Sequence, residues 1–161
     1  MNAAILGVGV TRFERRSTQT IEQLGQQAVR LAVRDAGIDH RRIEAAFVGT
    51  AYGAAGQGQR ILKDLGLTGI PVTNVENACA SGAEAALLAA RAVANGDVAV
   101  ALAVGAEAPS QSLAPGMIPL DPAEALIASL GMTFPALYGM RATAHMERYG
   151  TTVEHLAAVS V

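Results

Sequence analysis

Between Ala78 and Ala94 the sequence reads ACASGAEAALLAARAVA, in which only Glu84 and Arg91 carry charge. Set seven positions apart, the two fall on one narrow face of a helix, and the rest of its surface is Ala, Leu, Val and Gly. A helix with so little polar surface is expected to be buried nearly all round. With Gly82 and many alanines it can lie very close to its neighbours, as a helix sandwiched between two sheets would. The flanking sequence offers strands for one sheet only, so the second is expected from residues outside this chain.

Those strands alternate with helices. Ala3 to Val10 is an apolar run closed by Gly7-Val8-Gly9 and reads as a first strand buried on both faces. From about Thr18 to Ala36, Ile21, Leu24, Ala28, Leu31, Ala32 and Val33 recur at helical spacing, with Gly37 as the stop. Ala45 to Gly49 is a second strand, and Gln57 to Leu65 a helix stopped by Gly66. Ile70 to Val75 is a third strand, placed at an edge by Pro71. The Ala-rich helix follows, ended by Asn95-Gly96, and Asp97 to Val104 is a fourth strand. This order argues for a parallel sheet covered by helices on both faces.

The organisation changes near residue 108. Pro109, Pro115, Pro119, Pro122 and Pro135 interrupt any regular sheet, so 109–161 reads as an inserted loop region carrying two helices. The first runs from about Ala136 to Tyr149 and is closed by Gly150. The second opens on the capping pattern Thr151-x-x-Glu154, and its apolar spacing through Leu156, Val159 and Val161 is still running at the last residue, as in a truncated chain.

Composition narrows the function classes. A net charge of −2 and scattered arginines give no field that would gather phosphates, so nucleic acid is not expected as a partner. No apolar stretch approaches the roughly 20 residues that cross a bilayer, and no membrane insertion is expected. The opening residues lack the basic region of a signal peptide, and a single cysteine requires no oxidising compartment, which sets a cytoplasmic expectation. No Cys/His set has the count for a structural metal. Gly7-Val8-Gly9 is too incomplete for a dinucleotide turn, and the Gly53 to Gly58 stretch lacks the Lys-Ser/Thr of a phosphate loop.

That cysteine is Cys79, in Asn74-Val75-Glu76-Asn77-Ala78-Cys79-Ala80-Ser81-Gly82-Ala83-Glu84, a strand-to-helix junction. Helix amides point outward there, and the aligned peptide dipoles favour an ionised sulfur. The same amides can hydrogen-bond an oxyanion formed when sulfur attacks a carbonyl. Either Asn77 or Ser81 can cap the helix. The competing reading of Cys79 is a small buried hydrophobe, the usual fate of free cysteine.

The loop Asn77-Ala78-Cys79-Ala80-Ser81-Gly82 resembles the nucleophile loop of the thiolase superfamily, specifically thiolases of the sterol-carrier-protein type. Gly105-Ala106-Glu107 is similar to that family's Gly-rich turn. Tyr138-Gly139, the run His145 to Gly150, and Glu154-His155-Leu156-Ala157 resemble the end of its inserted loop region.

The resemblance implies an α/β fold. Residues 1–108 would form a thiolase-like amino-terminal half, layered α/β/α, with a mostly parallel sheet and a buried central helix. It implies that Cys79 is the catalytic nucleophile, accepting an acyl group from coenzyme A, with a coenzyme A thioester as substrate and no permanently bound cofactor. It implies a homo-oligomer formed through the edge strand near Ile70 to Val75, and relatives with a small partner subunit. The activating histidine belongs to a second half. His145, His155 and His40 match none of its motifs and read as surface or packing residues. Met117, Met132, Met140 and Met146 would lie over the acyl chain or fill the core. Two other functions stay open: retro-aldol cleavage on the same scaffold, and a non-catalytic lipid- or partner-binding subunit.

Overall fold

The computed structural model describes residues 2–14, 17–112, 126 and 129–160. The chain separates into two compact units, Met1–Ser112 and Leu113–Val161.

The first unit is an α/β structure around a three-stranded parallel sheet. Helix α1 spans Ile21–Ala36, β1 Ala45–Gly49, α2 Gln57–Leu62, β2 Val72–Val75, α3 Ser81–Asn95, β3 Ala101–Gly105 and α4 Pro109–Ser112. The sheet order is β2-β1-β3, with Ala46 opposite Val72 and Leu102, and Gly49 opposite Val75 and Gly105. β2 is therefore an edge strand, as Pro71 predicts.

Local chemistry sets the helix limits. Thr20 caps α1: its hydroxyl accepts from the Gln23 amide while the Gln23 side chain accepts from the Thr20 amide. Gly37 ends the helix in the left-handed conformation, φ 63°. The helix predicted over Gln57 to Leu65 is α2 followed by a single 3-10 turn, Lys63–Leu65, stopped at Gly66.

Alternation along the strands divides the sheet into two unlike faces. Ala46 and Val48 of β1, with Leu102 and Val104 of β3, belong to the buried core with Val29 of α1 and with Ile61 and Leu62 of α2. Gln57 is buried beside them and satisfied: its amide nitrogen donates to Glu22 and its oxygen accepts from the Ala54 amide. The other face carries Phe47 between Ala45 and Gly49 of β1, and Ala101, Ala103 and Gly105 of β3, and α3 lies against it. A Cβ added to Gly49 would collide with the backbone of Ser81, and one added to Gly82 would stand 3.5 Å from the Gly105 Cα.

The structure bears on three predictions. Ala3 to Val10 is no strand; the segment is largely exposed, with Val8 at 64%. Its Gly7 and Gly9 seat directly on the α1 backbone, and the Val8 amide donates to Asp35 at 2.8 Å, contacts that hold it to the helix and not to the sheet. Secondly, within this chain α3 is covered on its sheet side only, the other side being the one for which cover is expected from outside the chain. Ser81, Ala85 and Ala89 face the sheet, whereas Ala83, Ala86, Leu87 and Ala90 are exposed.

The third concerns the second unit, in which α5 spans Phe134–Tyr149 and α6 Val153–Ala157. α5 begins two residues earlier than predicted, since Pro135 fits a first helical turn. α6 is capped by Thr152 with His155, one position beyond the predicted Thr151 and Glu154, and it stops at Ala157 before a turn. Pro115, Met117, Pro119 and Pro122 lie outside the described residues.

Gly49→Ala is expected to destabilise the protein by about 1–3 kcal/mol, the cost of overpacking against backbone that cannot move aside. Urea unfolding of the variant measures it; an unchanged midpoint would show that α3 is free to shift off the sheet.

Candidate functional site

The carboxyl ends of the three parallel strands converge at one edge of the sheet. The ladder continues past the strand ends there: the Thr50 amide donates to the Val75 carbonyl, and the Ala106 amide to the Gly49 carbonyl, both at 3.1 Å. The segments following β1, β2 and β3 thus leave the sheet side by side. Crevices of open α/β sheets form at this end.

Cys79 sits in the segment after β2, within a 3-10 turn, Ala78–Ala80, that runs into α3. Its side chain is exposed, so the buried-hydrophobe reading does not describe it. The residue before it, Ala78, has φ 45°, the only positive φ outside glycine among the described residues. For an alanine that conformation costs roughly 1–2 kcal/mol and must be held by its surroundings.

Ser81 does the holding. Buried at 4% exposure, its hydroxyl accepts from the Asn77 amide at 2.8 Å and donates to the Ala78 carbonyl at 2.7 Å. The Glu76 carboxylate accepts from the Ala78 amide at 2.6 Å. Between the two predicted caps the structure takes neither: Ala80 occupies the N-cap, and no side chain caps α3. Ser81 ties the preceding turn instead.

This narrows the oxyanion expectation. The amides of Asn77, Ala78, Ala80 and Ser81 all donate inside the turn, so an acyl oxygen on Cys79 has to find donors beyond these four.

Two further residues at this edge were not singled out as site residues in the sequence. Glu107, two positions past β3, accepts at one carboxylate oxygen from the Thr50 hydroxyl and from the amides of Ala51 and Tyr52, at 3.2, 2.7 and 3.1 Å. The backbone of Tyr52 is thereby fixed. Burial pushes its phenol above the usual range, and the negative charges of Cys79, Glu107 and Glu76 push the same way. The one sequence signal was that Glu107 closes the Gly-rich turn after the last strand.

The histidines stand in other roles. His155 Nδ1 accepts from the Thr152 amide at 3.1 Å as part of the α6 cap. His145 lies 3.0 Å from the Thr151 hydroxyl and packs on the Tyr149 ring. His40 is paired with exposed Asp39. No group of three or more His, Cys, Asp or Glu fit to hold a metal occurs among the described residues, and no described helix is long and apolar enough to cross a membrane.

Comparison with known proteins places this geometry in a family. The model of the thiolase N-terminal domain matches residues 3–159. Sterol carrier protein 2 of Gallus gallus is 36% identical over 169 residues, 97% of this chain and 31% of that protein. An acetyl-CoA acetyltransferase of Methanothermobacter thermautotrophicus is 36% identical over 173 residues, 99% of this chain and 43% of that protein. The chain thus spans well under half the length of these relatives. Among solved structures, the Ltp2-ChsH2(DUF35) aldolase aligns with a TM-score of 0.70 and 26% identity, over 94% of this chain and 39% of that one.

Ser81→Ala is expected to lower stability by about 1–3 kcal/mol, the cost of leaving partners of a buried hydroxyl unsatisfied. A urea midpoint equal to that of the unaltered protein would mean that Ala78 is held in its left-handed conformation by something else.

Proposed function

The chain belongs to the thiolase family, as its amino-terminal domain, and from that footing we propose that the full-length protein is an acyl-coenzyme A acyltransferase with Cys79 as its acyl carrier. One observation carries the reading: the chain's single cysteine is exposed in a turn held by Ser81 and Glu76, at the strand-end edge of the sheet where α3 begins. Sulfur in that position can reach a carbonyl delivered from outside.

With a 3-ketoacyl-coenzyme A, the Cys79 sulfur forms a bond to the 3-keto carbon and the C2–C3 bond breaks. The electron pair left on C2 takes a proton, releasing a shortened coenzyme A thioester. A second coenzyme A thiol then attacks the acyl group on Cys79, its sulfur–carbon bond replacing that of the enzyme, and the thiol proton returns to Cys79. The reverse order makes the carbon–carbon bond. Splitting the reaction at a covalent stage replaces one difficult step by two easier ones. His155 is engaged in a helix cap and is not offered as the proton carrier.

The Ltp2-ChsH2(DUF35) aldolase likeness favours a second reading, retro-aldol cleavage on the same scaffold with a small partner subunit. The chemistry separates the two, because aldol cleavage needs no acyl-cysteine.

Incubating the full-length protein with acetyl-coenzyme A is expected to add one acetyl mass to the peptide bearing Cys79, and Cys79→Ser to abolish both the adduct and turnover. Normal turnover by Cys79→Ser would overturn the thiolase reading in favour of the lyase. Failure of iodoacetamide to label Cys79 faster than a model thiol at neutral pH would instead favour a binding subunit. The exposed edge strand β2 is proposed as the dimer contact; light scattering is expected to give twice the monomer mass, and a clean monomer would exclude it.

A further inference from the structure

Residues 50–53, the segment that leaves β1, are gathered by one side chain that arrives from beyond β3. A single Glu107 carboxylate oxygen accepts from the Thr50 hydroxyl and from the Ala51 and Tyr52 amides, and the Thr50 hydroxyl in turn accepts from the Gly53 amide at 2.9 Å. The other oxygen, Oε1, is buried without a hydrogen-bond partner among the described residues. Leaving that oxygen unpaired costs free energy. A neutral side chain would escape much of the cost but would grip the three donors less, because bonds to a charged acceptor are roughly twice as strong as neutral ones.

The gathered segment is joined to the turn of Cys79 at two places. The Thr50 amide donates to the carbonyl of Val75, the last residue of β2, at 3.1 Å. Gly49, the residue before Thr50, lies against the Ser81 carbonyl, and the Ser81 hydroxyl holds the Asn77 amide and the Ala78 carbonyl. A continuous path of hydrogen bonds and packed backbone thus runs from Glu107 through Thr50 and Gly49 to both ends of the turn. We propose that Glu107 is a positioning residue for the nucleophile: its carboxylate clasps residues 50–53 and so keeps Thr50 against Val75 and Gly49 against Ser81, which fixes the turn that presents the Cys79 sulfur. The effect on acyl transfer rests on the acyl-carrier reading above; the hold on the turn does not.

The test uses the full-length protein with Glu107→Gln, which removes the charge at nearly constant shape, with Ser81→Ala, and with the two combined. In Glu107→Gln, hydrogen exchange is expected to quicken about tenfold at the Ala51 and Tyr52 amides, which lose a charged acceptor. The Asn77 amide is expected to follow in the same direction, while Val29 and Val33 in α1 exchange as before. With acetyl-coenzyme A, the maximum rate of Cys79 acylation is expected to fall about tenfold, a modest loss for a misplaced reacting group, at an unchanged half-saturating concentration. Ser81→Ala opens the same path nearer the sulfur, so the double variant is expected to be no slower than the slower single. Iodoacetamide, which can reach an exposed sulfur from any direction, is expected to label Cys79 within about twofold of the normal rate in Glu107→Gln.

Unchanged exchange at Ala51 and Tyr52 would overturn the clasp, and unchanged exchange at Asn77 would overturn its reach to the turn. Multiplying losses in the double variant would overturn the route through Ser81. A raised half-saturating concentration with an unchanged maximum rate would make Glu107 a substrate-binding residue and overturn the positioning role. If the unaltered protein takes no acyl group, the thiolase reading falls and the effect on acyl transfer with it, while exchange at Asn77 still decides whether Glu107 holds the turn. Should Glu107→Gln not fold, Thr50→Val removes one of the three donors at similar volume and is expected to move the Asn77 exchange and the acylation rate the same way by less; no movement in either would overturn the proposal.

Discussion

Everything at the sheet edge depends on how closely α3 approaches β1 and β3. Gly49 accepts the Ser81 backbone where any Cβ would stand, and Gly82 and Gly105 face one another with no side chain between them. Were Gly49 alanine, the helix would have to lift away, because protein interiors have no slack to absorb an extra methyl against backbone. The missing side chains thus set the height of α3 above the sheet. They also place the turn of Cys79 at the edge where the segments leaving β1 and β3 are joined by Glu107.

The turn itself shows a choice between two uses of one hydroxyl. α1 and α6 carry side-chain caps, whereas α3 begins on Ala80 with none. Ser81 stands where its hydroxyl reaches back to Asn77 and Ala78, which fixes the strained residue before the sulfur and not the helix end. A cap is worth about 1 kcal/mol to a helix. α3 does without it and packs instead on the sheet through Ser81, Ala85 and Ala89.

How far the sequence is legible follows from how local each signal is. Capping residues, helix-stopping glycines and the edge position given by Pro71 depend on neighbours a few residues away, so β1 and the carboxyl-terminal ends of α1, α3 and α5 can be read directly. The parallel sheet, and membership of the thiolase family from the cysteine loop, were legible for the same reason. Ala3 to Val10 misleads because apolar composition alone cannot say whether a segment finds a strand edge or, as here, a helix backbone against its glycines. The exposed apolar side of α3 is consistent with the sequence, which assigns its cover to residues outside this chain. Glu107 and Tyr52, 55 residues apart, share no local pattern at all; only the sheet register brings them together.

The link between Glu107 and its segment is one case of a device used throughout the first unit. Asp35 holds the Val8 amide, Asp39 that of Arg41, Glu44 that of Ala99 and Glu76 that of Ala78. The ion pairs among the described residues, Lys63 with Asp64 and His40 with Asp39, are exposed and contribute little. Acidic side chains here therefore act chiefly as acceptors for loop amides, bonds that are strongest while the carboxyl is ionised. The Arg41 amide, foremost, holds the Asp39 carboxyl below its usual range. Its contribution to stability is complete above the ordinary aspartate value and is lost as pH falls through the lower folded one. Charge in this unit is thus a means of fixing loops, among them the turn of Cys79 through Glu76 and the segment of Tyr52 through Glu107.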